Sequence, residues 1–200
     1  MIKENYRLTL NKRLGGVDLV PTERIRAIIE CCDANLDLHT VRDVVRVIAN
    51  TGISNSEFGS LRVSSIDTEQ KWLFAGEGRA SKYAMRTLPL RSKTLESLMS
   101  LHRMNPESDF VLGAHPRTRF ALVLAKLRPV FPELSHGRLF MYSVRMNFVC
   151  RVMSAGIPLS LVKYCLGQGD IGMLMGHLTL TPEQKLEILR RNLESFVQEL

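Results

Sequence analysis

The chain has 200 residues, of which 45% are hydrophobic and 24% are charged, and its formal net charge is +7 with a pI near 9.5. This length and composition are typical of one globular domain with its own core. Apolar runs fall short of the ~18 residues of a membrane span, and the first residues lack a signal peptide's apolar segment, so we expect a cytoplasmic protein without a membrane partner.

The first half of the chain predicts helices. Residues 1–19 show no sustained period and contain Gly15 and Gly16, which indicates an N-terminal arm. Apolar residues at helical spacing then predict one helix in "PTERIRAIIECC" (21–32) and another in "VRDVVRVIANTG" (41–52), the second ending at Gly52. A short helix follows, with Ser54 or Ser56 as the N-cap for Glu57.

The second half adds two strands and more helices. "KWLFAG" (71–76) and "MRTLPL" (85–90) predict two strands joined by a basic loop, with Trp72 expected in the core. Further helices are predicted at 92–104, 117–130 and 142–155, from Pro158 onward, and at 181–200, where an apolar stripe follows Thr181. The fold class is therefore mainly α with a small antiparallel β-sheet (α+β).

The four cysteines predict no metal site and no cofactor. They lack CxxC spacing and are most typical of small core residues in a reducing compartment; they are Cys31, Cys32, Cys150 and Cys165. Cys31 and Cys32 are adjacent in a predicted helix, so one should face the core and the other solvent.

Positive charge is concentrated in the middle of the chain. Residues 20–70 contain five Lys or Arg and eight Asp or Glu, whereas residues 79–103 contain six basic residues and only Glu96 as an acid. Residues 115–151 contain seven basic residues and only Glu133. Such clustering favours a polyanionic partner such as a nucleic-acid backbone, and a solvated basic face is the alternative.

Four sequence blocks in register resemble the catalytic domain of the tyrosine recombinases, the phage integrase family. "TGISNSEFGSLRVSSID" resembles the family's T-G-L-R-x-S-E-L-x-x-L-x-W-x-D-I-D, and "RTLPL" resembles the strand that closes its β-hairpin. "YSVR" stands where the family has H-x-L-R, and Leu166-Gly167-Gln168 stands for L-G-H. The resemblance covers residues 20–180 and implies the DNA breaking–rejoining fold.

The resemblance also implies that most of the family's catalytic residues are substituted. In the family a tyrosine attacks the scissile phosphate, two arginines neutralise its oxygens, and histidine and lysine transfer protons. Here Ser54 replaces the first arginine, and Tyr142 replaces the first histidine. Gln168 replaces the second histidine or tryptophan, and His177 replaces the nucleophilic tyrosine, while Arg145 is retained. We therefore expect a pseudoenzyme, since this chemistry depends on electrostatic stabilisation.

Three points stay open at this stage. Glu77, Arg79 and Lys82 compete for the place of the family's hairpin lysine. Arg145 could bind a phosphate or hold neighbouring helices together. Tyr142 could bind a phosphate or pack in the interior.

The expected partner is double-stranded DNA, bound through Arg79, Lys82, Arg86 and Arg145. About nineteen residues precede the first matched helix, too few for the family's separate N-terminal DNA-gripping domain, so we expect that domain to be absent. The helix at 182–200 could dock onto a second copy and give a homo-oligomer. The predicted function is a non-catalytic accessory or regulatory DNA-binding protein, or a mobile-element relic with DNA integration and recombination ancestry.

Two alternatives remain. One is an active site-specific recombinase with a non-standard nucleophile, since histidine can attack phosphorus. The other is a protein-interaction module without a DNA role.

Overall fold

The computed structural model describes residues 20–77, 85–126, 129 and 137–167. The expectations for the arm at 1–19, for most of the hairpin loop, and for everything from residue 168 onward lie outside these residues. The fold below is built from the described part of the chain.

The helices follow the predicted order closely. Two short 3₁₀ turns, Leu36–Leu38 and Val63–Ser65, accompany them. The α-helices are α1 (Thr22–Asp33), α2 (His39–Thr51), α3 (Asn55–Phe58), α4 (Ser92–Arg103), α5 (Pro116–Ala125), α6 (Gly137–Ser154) and α7 (Leu159–Leu166). The main difference from the prediction is α6, which begins five residues before the expected start at 142.

The sheet has three antiparallel strands in the order β1–β2–β3, namely Ile66–Asp67, Trp72–Ala75 and Arg86–Pro89. The two predicted strands, β2 and β3, are confirmed, with Leu73 opposite Leu88. β1 is an addition to the prediction, and it pairs Ile66 with Leu73. The mainly helical fold with a small antiparallel sheet is thus as expected.

Helix α2 is the centre of the core. Its predicted apolar stripe is fully buried, and Val47 on another side of the helix is buried too. Such burial is possible because α1, α4 and α6 all pack against α2. Gly52 ends the helix with φ 66°, where its N–H donates to the carbonyl of Ile48, and glycine adopts this left-handed conformation most easily.

Two smaller expectations have opposite outcomes. The prediction for the cysteine pair is confirmed, since Cys32 is buried and Cys31 exposed. The expectation that Trp72 lies in the core was wrong, because its side chain is 38% exposed. Strand alternation explains this result: Leu73 and Ala75 of β2 point inward, so Trp72 and Phe74 point outward.

In the described residues, no helix has both the length and the apolar character to cross a membrane.

Candidate functional site

Ser54, which the sequence resemblance aligns with the family's first arginine, caps helix α3. Its Oγ accepts a hydrogen bond from the Glu57 backbone N–H at 3.3 Å, and the Ser54 N–H donates to Glu57 Oε2 at 2.7 Å. This reciprocal arrangement is a capping box. The structure therefore confirms the predicted cap and chooses Ser54 over Ser56.

The carboxylate of Glu57 forms a buried ion pair with Arg86 of β3. Arg86 Nη1 lies 2.6 Å from Glu57 Oε1, and the two side chains are 0% and 6% exposed. Burial opposes ionisation of Glu57, but the hydrogen bond and charge of Arg86, with the bonds from Ser54, hold its pKa below the ordinary value. This pair joins the start of α3 to the sheet.

The burial of Arg86 differs from the expectation that it faces DNA. Its guanidinium donates from Nε to the carbonyl of Cys165 at 2.7 Å and from Nη1 to Glu57. A side chain with no exposed surface and a bound carboxylate is not available to a phosphate outside the fold. We therefore leave Arg86 out of the interface proposed below.

Arg145 lies on α6 and contacts the same helix end as Arg86. Its Nη2 donates to the carbonyl of Leu166 at 3.1 Å. Carbonyl groups at a helix C-terminus carry partial negative charge, which favours arginine there. Of the two roles left open for Arg145, the structure supplies contacts for the one that holds neighbouring helices together.

Tyr142 lies one turn before Arg145 on α6. Its half-buried side chain packs against a small apolar cluster that includes Met146, Val162 and Leu166. This cluster joins α6 to α7. The structure thus places Tyr142 and Arg145 on one helix, as their spacing predicts, and gives Tyr142 a packing role.

Among the remaining predicted site residues, the structure describes only Glu77. Arg79, Lys82, Gln168 and His177 lie outside the described residues. Glu77, a candidate for the place of the hairpin lysine, is described, and its Oε2 accepts a hydrogen bond from Ser65 Oγ at 3.2 Å. The described residues of the candidate site are Ser54, Glu77, Tyr142 and Arg145, together with the Glu57–Arg86 ion pair.

A small cavity beside Glu57 does not enlarge this site. It is lined by Ile53, Leu61, Ala75 and Glu77, among others, and its volume is about 20 Å³. That is room for a single water molecule. A nucleotide does not fit there.

Sequence reasoning missed the Glu57–Arg86 ion pair, although a signal was present. In "MRTLPL" the apolar residues Leu88 and Leu90 alternate with Thr87 and Pro89, and Arg86 falls on the side of the leucines. Strand alternation therefore placed Arg86 on the inward face, and a buried arginine requires an acidic partner.

Comparison with known proteins supports the fold through structure alone. No family model matches the chain, and no curated protein matches its sequence. Among solved structures, XerA recombinase is 15% identical with a TM-score of 0.65, over 86% of this chain and 62% of that one.

Two further similar structures were solved with DNA. The Tn1549 transposon integrase, in complex with transposon right-end DNA, is 14% identical with a TM-score of 0.68, over 91% of this chain and 68% of that one. The XerH site-specific recombinase bound to its difH substrate is 16% identical with a TM-score of 0.60, over 85% and 52%. The chain thus spans from about half to two thirds of these neighbours. It shares the fold of the tyrosine recombinase catalytic domain.

Proposed function

We propose that this protein binds double-stranded DNA without cleaving it, as an accessory or regulatory factor or as a relic of a mobile element. The observation that carries the proposal is the role of Ser54. A catalytic arginine is expected there, but the neutral serine has its side chain engaged in capping α3. The chain has the recombinase fold, and the side chain at position 54 stabilises that fold.

DNA as the partner is supported by the neighbours and by charge. The Tn1549 integrase and XerH structures contain DNA, and the basic residues of this chain are concentrated between 79 and 151. Phosphate contacts from lysine and arginine supply most non-specific affinity for DNA. We propose Arg79, Lys82 and Arg145 as such contacts.

Absence of cleavage is supported by the number of catalytic groups that are replaced. A comparable preorganised donor contributes about a hundred- to a thousand-fold in rate. In this chain Ser54, Gln168 and His177 replace three of the residues that the resemblance expects. Their effects are not additive, but a site without the paired arginine and the tyrosine lacks both charge neutralisation and the family's nucleophile.

The first test is DNA affinity as a function of salt, measured by fluorescence anisotropy with a mixed-sequence duplex. We expect a dissociation constant on the order of 10⁻⁴–10⁻⁶ M at physiological salt, weakening steeply as salt rises. Lys82→Ala should flatten the slope of log K against log salt by about one unit. Arg103→Ala, an exposed change outside the proposed interface, is the matched control. A wild-type protein that binds no duplex even at low salt would refute the proposal.

The second test separates binding from cleavage. Nicked suicide duplexes trap a covalent protein–DNA adduct whenever a recombinase attacks its substrate. We expect no adduct from the wild-type protein on substrates that it binds. An adduct abolished by His177→Phe would establish the alternative, a recombinase with a histidine nucleophile.

An apolar groove favours a second candidate function, which is docking of another copy. The groove lies between α2, α4 and α5, has a volume of about 280 Å³ and includes the exposed side chains of Met104 and Leu122. Arg119 and Lys126 also line it. The segment 182–200, which has an apolar stripe and four glutamates, is the proposed occupant.

Light scattering tests this second candidate. Leu122→Ser should lower the mass of any oligomer, and Leu193→Ala with Phe196→Ala should do the same from the other side of the contact. Leu161→Ser removes an exposed leucine outside the groove and serves as the control. A wild-type protein that is monomeric at high concentration would exclude this candidate.

A further inference from the structure

Three arginines surround the C-terminal end of α2 and lie outside the candidate site. Arg26 belongs to α1, Arg91 immediately precedes α4, and Arg151 lies near the end of α6. All three helices pack against α2. We call Arg26, Arg91 and Arg151 the arginine cluster.

Arg151 is the best-fixed member of the arginine cluster. Its Nη2 donates to the carbonyl of Ala49 in the last turn of α2. Close by, Asn50 Nδ2 donates to Thr94 Oγ1 at 3.1 Å and ties the same turn to α4. These two bonds hold the end of α2 against α6 and α4.

The charges of Arg91 and Arg26 act on Arg151. Burial lowers the pKa of Arg151, and the charges of Arg91 and then Arg26 lower it further. Contacts in the structure place Arg91 and Arg26 on the same side. The Thr94 that bonds Asn50 also donates its N–H to the Arg91 carbonyl at 2.9 Å. Asn147, one turn before Arg151, donates to Thr22 Oγ1 at 2.9 Å, one turn before Arg26.

Several other arginines of the described chain have acidic partners, which these three lack. Ion pairs within 4.0 Å join Arg42 and Arg46 to Asp33 and Asp43, Arg62 to Asp109, and Arg86 to Glu57. Within 20–77, 85–126 and 137–167, no carboxylate lies within that distance of Arg26, Arg91 or Arg151. This holds for Glu23 and Glu30 too, although both are on the same helix as Arg26.

Uncompensated guanidinium groups from three helices match the needs of a phosphate. Arginine offers a planar fork of N–H donors that binds phosphate oxygens in pairs, and a dianion relieves the repulsion among several such groups. We propose that the arginine cluster binds one phosphate group. That group belongs either to a nucleic-acid backbone, which rests on the proposed function, or to a free phosphate-bearing ligand.

The variants for the test are Arg91→Gln and Arg26→Gln. Both remove exposed guanidinium groups that have no hydrogen bond to lose in the described chain, whereas Arg151 is left intact because it bonds the Ala49 carbonyl. Arg103→Gln is the matched control, since it removes an exposed arginine from the opposite end of α4.

The first readout is thermal unfolding in phosphate and in chloride at equal ionic strength. Inorganic phosphate should raise the melting temperature of the wild-type protein by mass action. Arg91→Gln should weaken phosphate binding roughly tenfold or more, as expected for a charge-assisted hydrogen bond, and Arg103→Gln should not. In chloride, Arg91→Gln should be at least as stable as wild type, because it relieves repulsion; a merely structural arginine would show the reverse.

The second readout separates the two sources of phosphate. If Arg91→Gln flattens the salt dependence of DNA binding by about one unit, the bound group is a backbone phosphate. If phosphate protects the wild-type protein but the DNA slope is unchanged, the site holds a free ligand. Phosphate protection in a protein that binds no DNA would refute the proposed function and leave this site standing. Equal melting temperatures in phosphate and chloride, with no change in the DNA slope, would overturn the site itself.

Discussion

Arg86 and Arg145 donate hydrogen bonds to neighbouring carbonyl groups at one helix end. Arg86 Nε lies 2.7 Å from the oxygen of Cys165, and Arg145 Nη2 lies 3.1 Å from the oxygen of Leu166. One arginine comes from the sheet and the other from α6, so the end of α7 is held from two directions. Both had been expected at a DNA surface from sequence alone.

The ion pair between Arg86 and Glu57 should matter strongly for stability. Arg86→Met leaves the carboxylate of Glu57 buried without its partner, which costs about 3–5 kcal/mol in comparable pairs. Urea denaturation followed by circular dichroism measures the loss in free energy of unfolding. A loss below about 1 kcal/mol would show that Glu57 is hydrated when the protein is folded.

A double variant controls for the packing change in that experiment. Glu57→Gln combined with Arg86→Met removes both charges, so no isolated charge remains buried. We expect the double variant to be more stable than Arg86→Met alone. Additive losses would mean that the two side chains do not interact.

The same carboxylate predicts a dependence of stability on pH. The pKa of Glu57 is lower in the folded protein than its ordinary value of 4.5, so the unfolded state binds more protons as the solution is acidified through that value. The contribution of Glu57 is therefore complete above about pH 5 and is lost as pH falls through the folded pKa. Denaturation between pH 7 and 3 should show the stability gap between wild type and Glu57→Gln shrinking with acid. A constant gap would contradict this expectation.

Substitution of Ser54 should change the stability of the fold as well as DNA binding. Ser54→Ala removes the cap of α3 and should cost about 0.5–2 kcal/mol. Ser54→Arg restores the residue of the family pattern, loses the same cap, and should steepen the salt dependence of DNA binding by about one unit. We expect no covalent adduct from Ser54→Arg, because the sequence resemblance puts His177 in place of the family's nucleophilic tyrosine.

Gly52 should not tolerate a side chain. Its φ of 66° is strained for other residues, and an added Cβ would meet the ring of Phe148, coming within 2.6 Å of Cε1. Gly52→Ala should destabilise the protein by about 1–3 kcal/mol, as measured by denaturation. Combining it with Phe148→Leu should recover the steric part of the loss and leave the backbone strain.

The elements that the sequence predicted are those with a strong local signal. Helix α2 has apolar residues at helical spacing and a glycine at its end, and α3 has a serine followed three residues later by a glutamate; both are where they were expected. Helix α6 was predicted too short because it begins at Gly137, and glycine is a poor helix former. Strand β1 has only two residues and depends on pairing with β2, so its sequence contains no periodicity to detect.

The candidate site was harder to predict because the same residue type can serve folding or binding. The sequence located Ser54, Tyr142 and Arg145 correctly on their elements. The positive charge of Arg86 suggested a surface position, whereas the alternation of its strand indicated an inward one. The partner that decides the matter, Glu57, lies 29 residues away along the chain, and only the fold brings the two together.

The bond from Arg145 to the end of α7 also bears on how this sequence can change over time. An arginine that holds a helix end is favoured by selection for a folded protein alone, so the presence of Arg145 requires no catalytic role. The hydroxyl of Ser54 caps α3 and serves the fold in the same way.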